Sequence, residues 1–383
     1  MSIQTLRFST MIPYGKQWID KEDVDAVVET LHSDYLTTGP KVKAFEEALA
    51  AYCNVSYAIA VSNGTAALHL ASLALLKEGD KVLTTPNSFL ATSNAILYAG
   101  AVPIFVDIAE DGNIDLDLCE EILKQNPDIK ALYGVAFSGH MLDQQKLHHL
   151  KQSYDILILE DCAHAIGAKD GEVKAASCTN SDVSILSFHP VKHMTTGEGG
   201  AITTNNRALY EKMLMLRGHG MVKTADMKPW EYEMQTLGFN YRITDMQCAL
   251  GLSQLAKLNH FIERRIEIAK VYDAAFEGTN VKPLYRYDGR SSYHLYVVQV
   301  DFSQLSISKE DLFLRLREKG IGIQLHYIPI NKQPYYKSLG YGGENTPVMD
   351  AYYEACFSLP MYPKLSTDEQ SYVIDSLFEV LNG

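Results

Sequence analysis

Patterned cysteine and positive charge are what this sequence has little of. Its six cysteines (Cys53, Cys119, Cys162, Cys178, Cys248 and Cys356) are scattered along the chain. No C-x-x-C pair and no metal-ligand spacing occurs among them. That excludes a zinc module or a disulfide framework, and reduced thiols in a cytoplasmic protein are expected. Lys and Arg number 34 against 47 Asp and Glu, a formal net charge of −13. Nucleic acid needs a basic footprint, so no nucleic-acid partner is expected. An anionic ligand must then be held by a local site rather than by the overall field. No window reaches the roughly 18 apolar residues of a membrane span, and residues 1–13 carry no apolar core behind positive charge, so neither membrane insertion nor a secretory leader is expected. There is no internal repeat and no low-complexity linker.

What is present is enough for two folding units, since 383 residues exceed one ordinary core. Short apolar, β-branched runs alternate with helical patterns at Tyr57–Val61, Lys81–Thr84, Val102–Val106, Ile129–Val135, Ile156–Glu160, Val183–Ser187 and Ala201–Thr204. Amphipathic stretches such as Ala66–Leu76 and Leu116–Gln125 lie between several of them. This rhythm predicts an α/β protein with a buried, largely parallel sheet covered by helices on both faces. A helical pattern over Leu255–Phe276 reads as a connector. The expected division is a large α/β domain over 1–254 and a smaller α+β domain over 255–383. In the latter, Leu295–Asp301 reads as a strand, and Ser308-x-x-Asp311 and Ser366-x-x-Glu369 open helices.

Ligand sites of such sheets lie beyond the carboxyl ends of the strands, and four motifs fall there. Ser62-Asn63-Gly64-Thr65-Ala66 follows a strand and opens a helix. It is either a plain helix cap or a phosphate cradle, in which Gly64 allows close approach. Phe89, after the next strand, could be core or could stack on a ring. Asp161 closes the run Ile156–Glu160 and is either a surface-turn acid or the partner of a cationic nitrogen. Nearby His164 could support a phenolic oxygen or be a satisfied buried histidine. Lys192 lies past the strand ending at Ser187, in a loop rich in hydroxyls and glycine. Alone it would be a surface lysine, but desolvated it is a nucleophile toward carbonyls. A phosphate turn, an aromatic, an acid and a lysine, each after a strand, together match what pyridoxal phosphate requires.

The string from Ser187 to Gly200, Ser-Phe-His-Pro-Val-Lys-His-Met-Thr-Thr-Gly-Glu-Gly-Gly, resembles that of the DegT/StrS-type nucleotide-sugar aminotransferases, and the likeness runs nearly end to end. It takes in Pro13-Tyr14-Gly15-Lys16-Gln17, Tyr35-Leu36-Thr37-Thr38-Gly39-Pro40, Gly238-Phe239-Asn240-Tyr241-Arg242 and His326-Tyr327-Ile328-Pro329. Within the family, His326–Pro329 followed by Gln333-Pro334-Tyr335-Tyr336 is most similar to the pseudaminic-acid branch. His193-Met194 and Ala136-Phe137-Ser138-Gly139 depart from the usual pattern.

The resemblance implies a fold-type I transferase like aspartate aminotransferase, with pyridoxal 5′-phosphate carried covalently on Lys192. Asp161 would meet the pyridine nitrogen, Phe89 would stack on the ring, and Ser187 with Gly64, Thr65 and Ala66 would hold the phosphate. Asn240 would reach the cofactor of a neighbouring subunit, implying a homodimer with shared sites. Tyr14, Leu36, Thr37, Thr38, Gly39, Gln324, Leu325, His326 and Tyr327 would form the nucleotide-sugar cleft. The implied reaction is amination of C4 of a UDP-linked 4-keto-6-deoxy-N-acetyl sugar by L-glutamate. Another nucleotide-linked keto sugar, a free amino sugar or amino acid, and a non-catalytic cofactor-binding regulator are the alternatives.

Overall fold

The computed structural model describes residues 11–383, so the leader expectation for residues 1–13 falls mostly outside the described residues. Seven strands form one sheet, in the order Tyr57–Val61, Gly200–Thr204, Val183–Ser187, Leu157–Asp161, Ile129–Val135, Lys81–Thr84, Val102–Phe105. All neighbours are parallel except Gly200–Thr204, which opposes both of its partners. Helical crossovers return most of the parallel strands, whereas Leu157–Asp161 reaches Val183–Ser187 through the small hairpin Lys169–Asp170/Val173–Lys174. With the sheet covered, side chains such as Ile158, Leu159, Val183, Ile185 and Ile202 are buried. Val183–Ser187 and Gly200–Thr204 are joined instead by a loop without helix, which lets them pair antiparallel. That loop carries Lys192.

Two helix starts precede the expected ones, and caps explain both. The helix Gly64–Leu75 begins where the Asn63 side chain accepts from the Ala66 N–H at 2.8 Å, ahead of the apolar periodicity that starts at Ala66. The long helix Asp245–Ala275 begins at a capping box between Thr244 and Gln247, well before Leu255. Its first half packs Cys248, Leu255 and Leu258 with the large sheet's core, while Ile268, Ala269 and Tyr272 enter a second core.

That second core surrounds a three-stranded antiparallel sheet of Lys282–Pro283, Tyr296–Gln299 and Cys356–Leu359. The helices Lys309–Glu318 and Thr367–Asn382, opened by capping boxes at Ser308/Asp311 and Ser366/Glu369, bury Leu312, Leu316, Val373 and Leu377 there. Each such side chain contributes about 1.5–3 kcal/mol. The segment near residue 12 pairs with this unit through Ile12 N–H to Gly320 O and Gly322 N–H to Ile12 O, both 2.8 Å. The Met361 N–H then binds Tyr14 O at 2.9 Å, which holds Tyr14 beside the large sheet's strand ends. Among the described residues no helix is long and apolar enough to cross a membrane. All six cysteines are buried and unpaired.

Candidate active site

The carboxyl ends of the strands open into a cavity of about 860 Å³. One wall is a glycine-dependent junction. The register Val61–Gly200–Ser187 sets three strand ends side by side. A Cβ on Gly200 would stand 2.6 Å from the Asn63 carbonyl carbon, so only glycine lets the strands close here. A Cβ on Gly64 would stand 3.1 Å from Ser187 Cβ and 3.3 Å from its Oγ. The Ser187 hydroxyl therefore faces the first turn of the helix Gly64–Leu75. There the N–H groups of Gly64 and Thr65 have no intrahelical acceptor, and the helix dipole favours an anion. This is a cradle of phosphate size and polarity.

Asp161, the last residue of its strand, and Lys192 both line the same cavity. Asp161 is 5% exposed. Its Oδ2 accepts the Thr92 hydroxyl at 2.7 Å and its Oδ1 the Ala163 N–H at 3.1 Å. Burial raises its pKa, and these donors and the Lys192 charge oppose the rise. The side chain of Lys192 lines the cavity, but its amine lies deep enough to be desolvated. That desolvation pushes its pKa down to about 8, against the pull of Asp161. The loop is held by Lys192 N–H to His189 O at 2.9 Å and Thr196 N–H to Phe188 O at 3.0 Å. Gly197 takes the positive φ of +83° that its turn demands.

His164 is buried, and its Nε2 lies 3.2 Å from the Tyr327 hydroxyl. Its Nδ1 has no partner among the described residues, so there it is a half-satisfied histidine rather than a fully satisfied one. The His294 ring sits 4.3 Å away, and His193 packs 5.7 Å beyond that. Burial holds His164, His294 and His193 well below the usual imidazole range, reinforced by the Lys192 charge at all three and by Arg265 at His193, where it is the stronger of the two, and at His294. His326 is pushed to about 3 by burial and the Lys192 charge. Lys192 is thus ringed by neutral imidazoles. The unusual His193-Met194 pair is the buried part of this loop, with His193 Nε2 bound to Ser292 O at 2.9 Å. The Ala136–Gly139 departure forms a short 3₁₀ turn, and it sets Phe137 6.1 Å from the Tyr327 ring.

Phe89 is 60% exposed and lines the cavity, which overturns its core reading: its turn leaves the ring open to the cleft, 6.3 Å from Tyr327. Tyr14, Thr65, Ala66, Gln324, Leu325 and His326 also line it. Two expected groups do not. Leu36, Thr37 and Thr38 are exposed, and Gly39 N–H binds Asp245 Oδ2 at 2.7 Å at the start of the long helix. Asn240 is exposed, bridged to Gly218, although its neighbour Tyr241 does reach the cavity. Thr92, Tyr241 and His294 are among the residues near the site that sequence reasoning did not assign to it. Tyr241 stood inside the string Gly238–Arg242, and Thr92 left a local trace on the first turn of a helix just after Phe89.

A model of the DegT/DnrJ/EryC1/StrS aminotransferase family matches residues 17–378. The chain belongs to this aminotransferase family. The aminotransferase is similar to a protein of Campylobacter jejuni subsp. jejuni serotype O:23/36 (strain 81-176) named UDP-4-amino-4,6-dideoxy-N-acetyl-beta-L-altrosamine transaminase. The two are 41% identical over 374 residues, covering 97% of this chain and 98% of that protein. Among solved structures, Helicobacter pylori PseC, described as an aminotransferase involved in the biosynthesis of pseudoaminic acid, superposes with a TM-score of 0.92 at 32% identity. That match covers 97% of the aminotransferase and 100% of PseC. The PMP form of the putative sugar aminotransferase Spr1654 from Streptococcus pneumoniae matches with a TM-score of 0.89 at 30% identity, covering 97% and 99% of the two chains.

Proposed function

We propose that this aminotransferase uses pyridoxal phosphate to move the amino group of L-glutamate onto the C4 ketone of a UDP-linked 4-keto-6-deoxy-N-acetylhexose, a reaction on the way to pseudaminic acid. Family membership and the 41% identical transaminase support the activity and the sugar class. The single structural observation that carries the reading is the meeting of a desolvated lysine, a buried strand-end acid and a glycine-serine anion cradle in one cavity. The donor set fits the cofactor, because Ser187 and the N–H groups of Gly64 and Thr65 match a phosphate, with Ala66 beside them holding the Asn63 cap, and Asp161 matches a protonated ring nitrogen. His164 Nδ1, buried and unpartnered, suits a phenolic oxygen.

Bound there, the cofactor supplies an aldehyde for amines and an electron sink for the bonds at the donor's Cα. Lys192 Nζ, readily neutral because it is desolvated, would be the base that takes the donor's Cα proton and delivers it to the carbon that bore the cofactor's aldehyde. Asp161 keeps the ring nitrogen protonated through a charge-assisted hydrogen bond. Phe89, with its ring open to the cavity, would pack against the cofactor's ring. Tyr14 and Gln324–Tyr327 shape the sugar end of the cleft. Asn240 and Leu36–Thr38, exposed here, together with the adjoining Gly39 serve the site of a second copy in a homodimer. Residues 1–254 act as the cofactor unit and 255–383 as the unit that closes the cleft. A cytoplasmic location belongs to the same reading, supported by six buried free thiols.

Purified protein loaded with pyridoxal phosphate is given L-glutamate and the UDP-4-keto sugar, with dTDP-linked and free keto sugars in parallel. The expected product is a UDP sugar with a new amine on C4, its position and configuration read by NMR. Amination of the dTDP-linked or free sugar alone would refute the assignment.

A further inference from the structure

One buried hydroxyl in the cavity has no part in the function proposed above. Thr92, on the first turn of the helix Ala91–Tyr98, is 1% exposed. Its Oγ1 donates to Asp161 Oδ2 at 2.7 Å across a sequence separation of 69 residues. The strand positions beside Asp161 are Val135 on one side and Ile185 on the other, both apolar. A carboxylate between such neighbours loses its water and drifts toward the neutral acid. Among the described residues three groups oppose that drift: the Thr92 hydroxyl, the Ala163 N–H and the Lys192 charge. The Thr92 hydroxyl is available because it does not cap its own helix, which has no side-chain cap. It also locks the rotation of the carboxylate, since one oxygen is held by Thr92 and the other by the backbone of Ala163.

We infer that Thr92 is a positioning residue of the transamination, whose hydroxyl fixes the Asp161 carboxylate in one orientation and keeps it an anion able to hold the proton of the ring nitrogen. The inference rests on the pyridoxal-phosphate function proposed above. Thr92 touches neither donor nor acceptor; it acts through Asp161. Its loss should therefore appear in the protonation of the ring nitrogen as well as in the rate.

Wild type, Thr92→Val and Thr92→Ser are each loaded with pyridoxal phosphate labelled with ¹⁵N in the ring. Two quantities are read: the ¹⁵N resonance of the ring nitrogen, and the rate at which L-glutamate bleaches the visible band in a single turnover. Thermal melts of the cofactor-free proteins establish that the variants fold, and Thr92→Ala replaces Thr92→Val if the latter does not. In the variant without the hydroxyl, the resonance is expected to move toward the neutral pyridine position. The bleaching should slow by about ten- to one-hundred-fold, the worth of a hydrogen bond to a buried charge. Thr92→Ser should restore both. A wild-type resonance or a wild-type rate in Thr92→Val overturns the inference, and so does a serine variant that behaves like the valine one. If the wild type itself takes up no cofactor or is not bleached, the proposed function falls and the inference with it.

Discussion

The Tyr327 hydroxyl stands 3.2 Å from His164 Nε2, and the two rings are inclined by only 25°. His164 follows the strand Leu157–Asp161, whereas Tyr327 comes from the C-terminal part of the chain, 163 residues later. The contact ties the cavity's floor to its outer wall. Burial raises the pKa of the Tyr327 hydroxyl and depresses that of His164, so both groups are neutral across the working pH range.

Replacing Tyr327 by Phe leaves His164 without its one side-chain partner. A hydrogen bond between neutral groups is worth about 0.5–1.5 kcal/mol. The variant should therefore release pyridoxal phosphate about three- to tenfold more readily, as measured by titrating the cofactor-free protein. Unchanged affinity would show that the pair does not orient His164.

Gly64→Ala puts a methyl group 3.1 Å from Ser187 Cβ, inside the cradle. Alanine suits a helix better than glycine, which offsets the strain of the 3.1 Å contact, so the cofactor-free protein should melt within a few degrees of wild type, a difference on the order of 1 kcal/mol. Cofactor affinity should fall by about tenfold or more as the phosphate loses its close approach. Equilibrium dialysis and thermal melts of the same samples separate the two effects. A variant that binds the cofactor normally would remove the cradle from the site.

The lowered pKa of Lys192 has two pH signatures. Only the neutral amine attacks an aldehyde, so cofactor capture by the cofactor-free protein should accelerate with pH up to about 8 and then level off. For stability, the unfolded lysine still holds its proton between about 8 and 10.5, where the folded one has shed it. The unfolded state binds more protons in that window, so the stability of the cofactor-free fold rises with pH across it. Lys192→Met removes the ionisation. It should be more stable than wild type below pH 8, with the advantage fading toward 10.5. Stopped-flow capture and urea denaturation at several pH values check the two signatures.

Shared sites in a homodimer predict rescue between two damaged chains. Lys192→Ala and Asn240→Ala should each be severely impaired alone. Once refolded together, a mixed dimer contains one site with an intact Lys192 from one copy and an intact Asn240 from the other. Random pairing should restore about one quarter of wild-type turnover. No recovery, with mixed dimers demonstrated by mass spectrometry, would place Asn240 outside the site.

The strand ladder, the helix caps at Ser308 and Ser366 and the sequence around Lys192 were legible in the chain, because each depends on residues within a few positions of one another, whereas the capping box at Thr244 was passed over. Alternation of apolar runs with helical periods sufficed for the parallel sheet, and strand ends located Gly64, Asp161, Ser187 and Lys192 before any packing was known. Phe89 was ambiguous for the same reason: a lone aromatic after a strand looks alike whether it is packed or open.

Local pattern determined which residues stand at strand ends. Tertiary structure decided which of them face one another. The antiparallel insertion of Gly200–Thr204 brings Gly64 against Ser187. Packing of the helix Ala91–Tyr98 delivers the Thr92 hydroxyl to Asp161, and the C-terminal segment brings Tyr327 to His164. The exposed surface around Asn240 and Leu36 was likewise set only by folding. Propensity and capping act over a few residues, whereas sheet order, burial and the loss of water from a charge depend on contacts between distant parts of the chain.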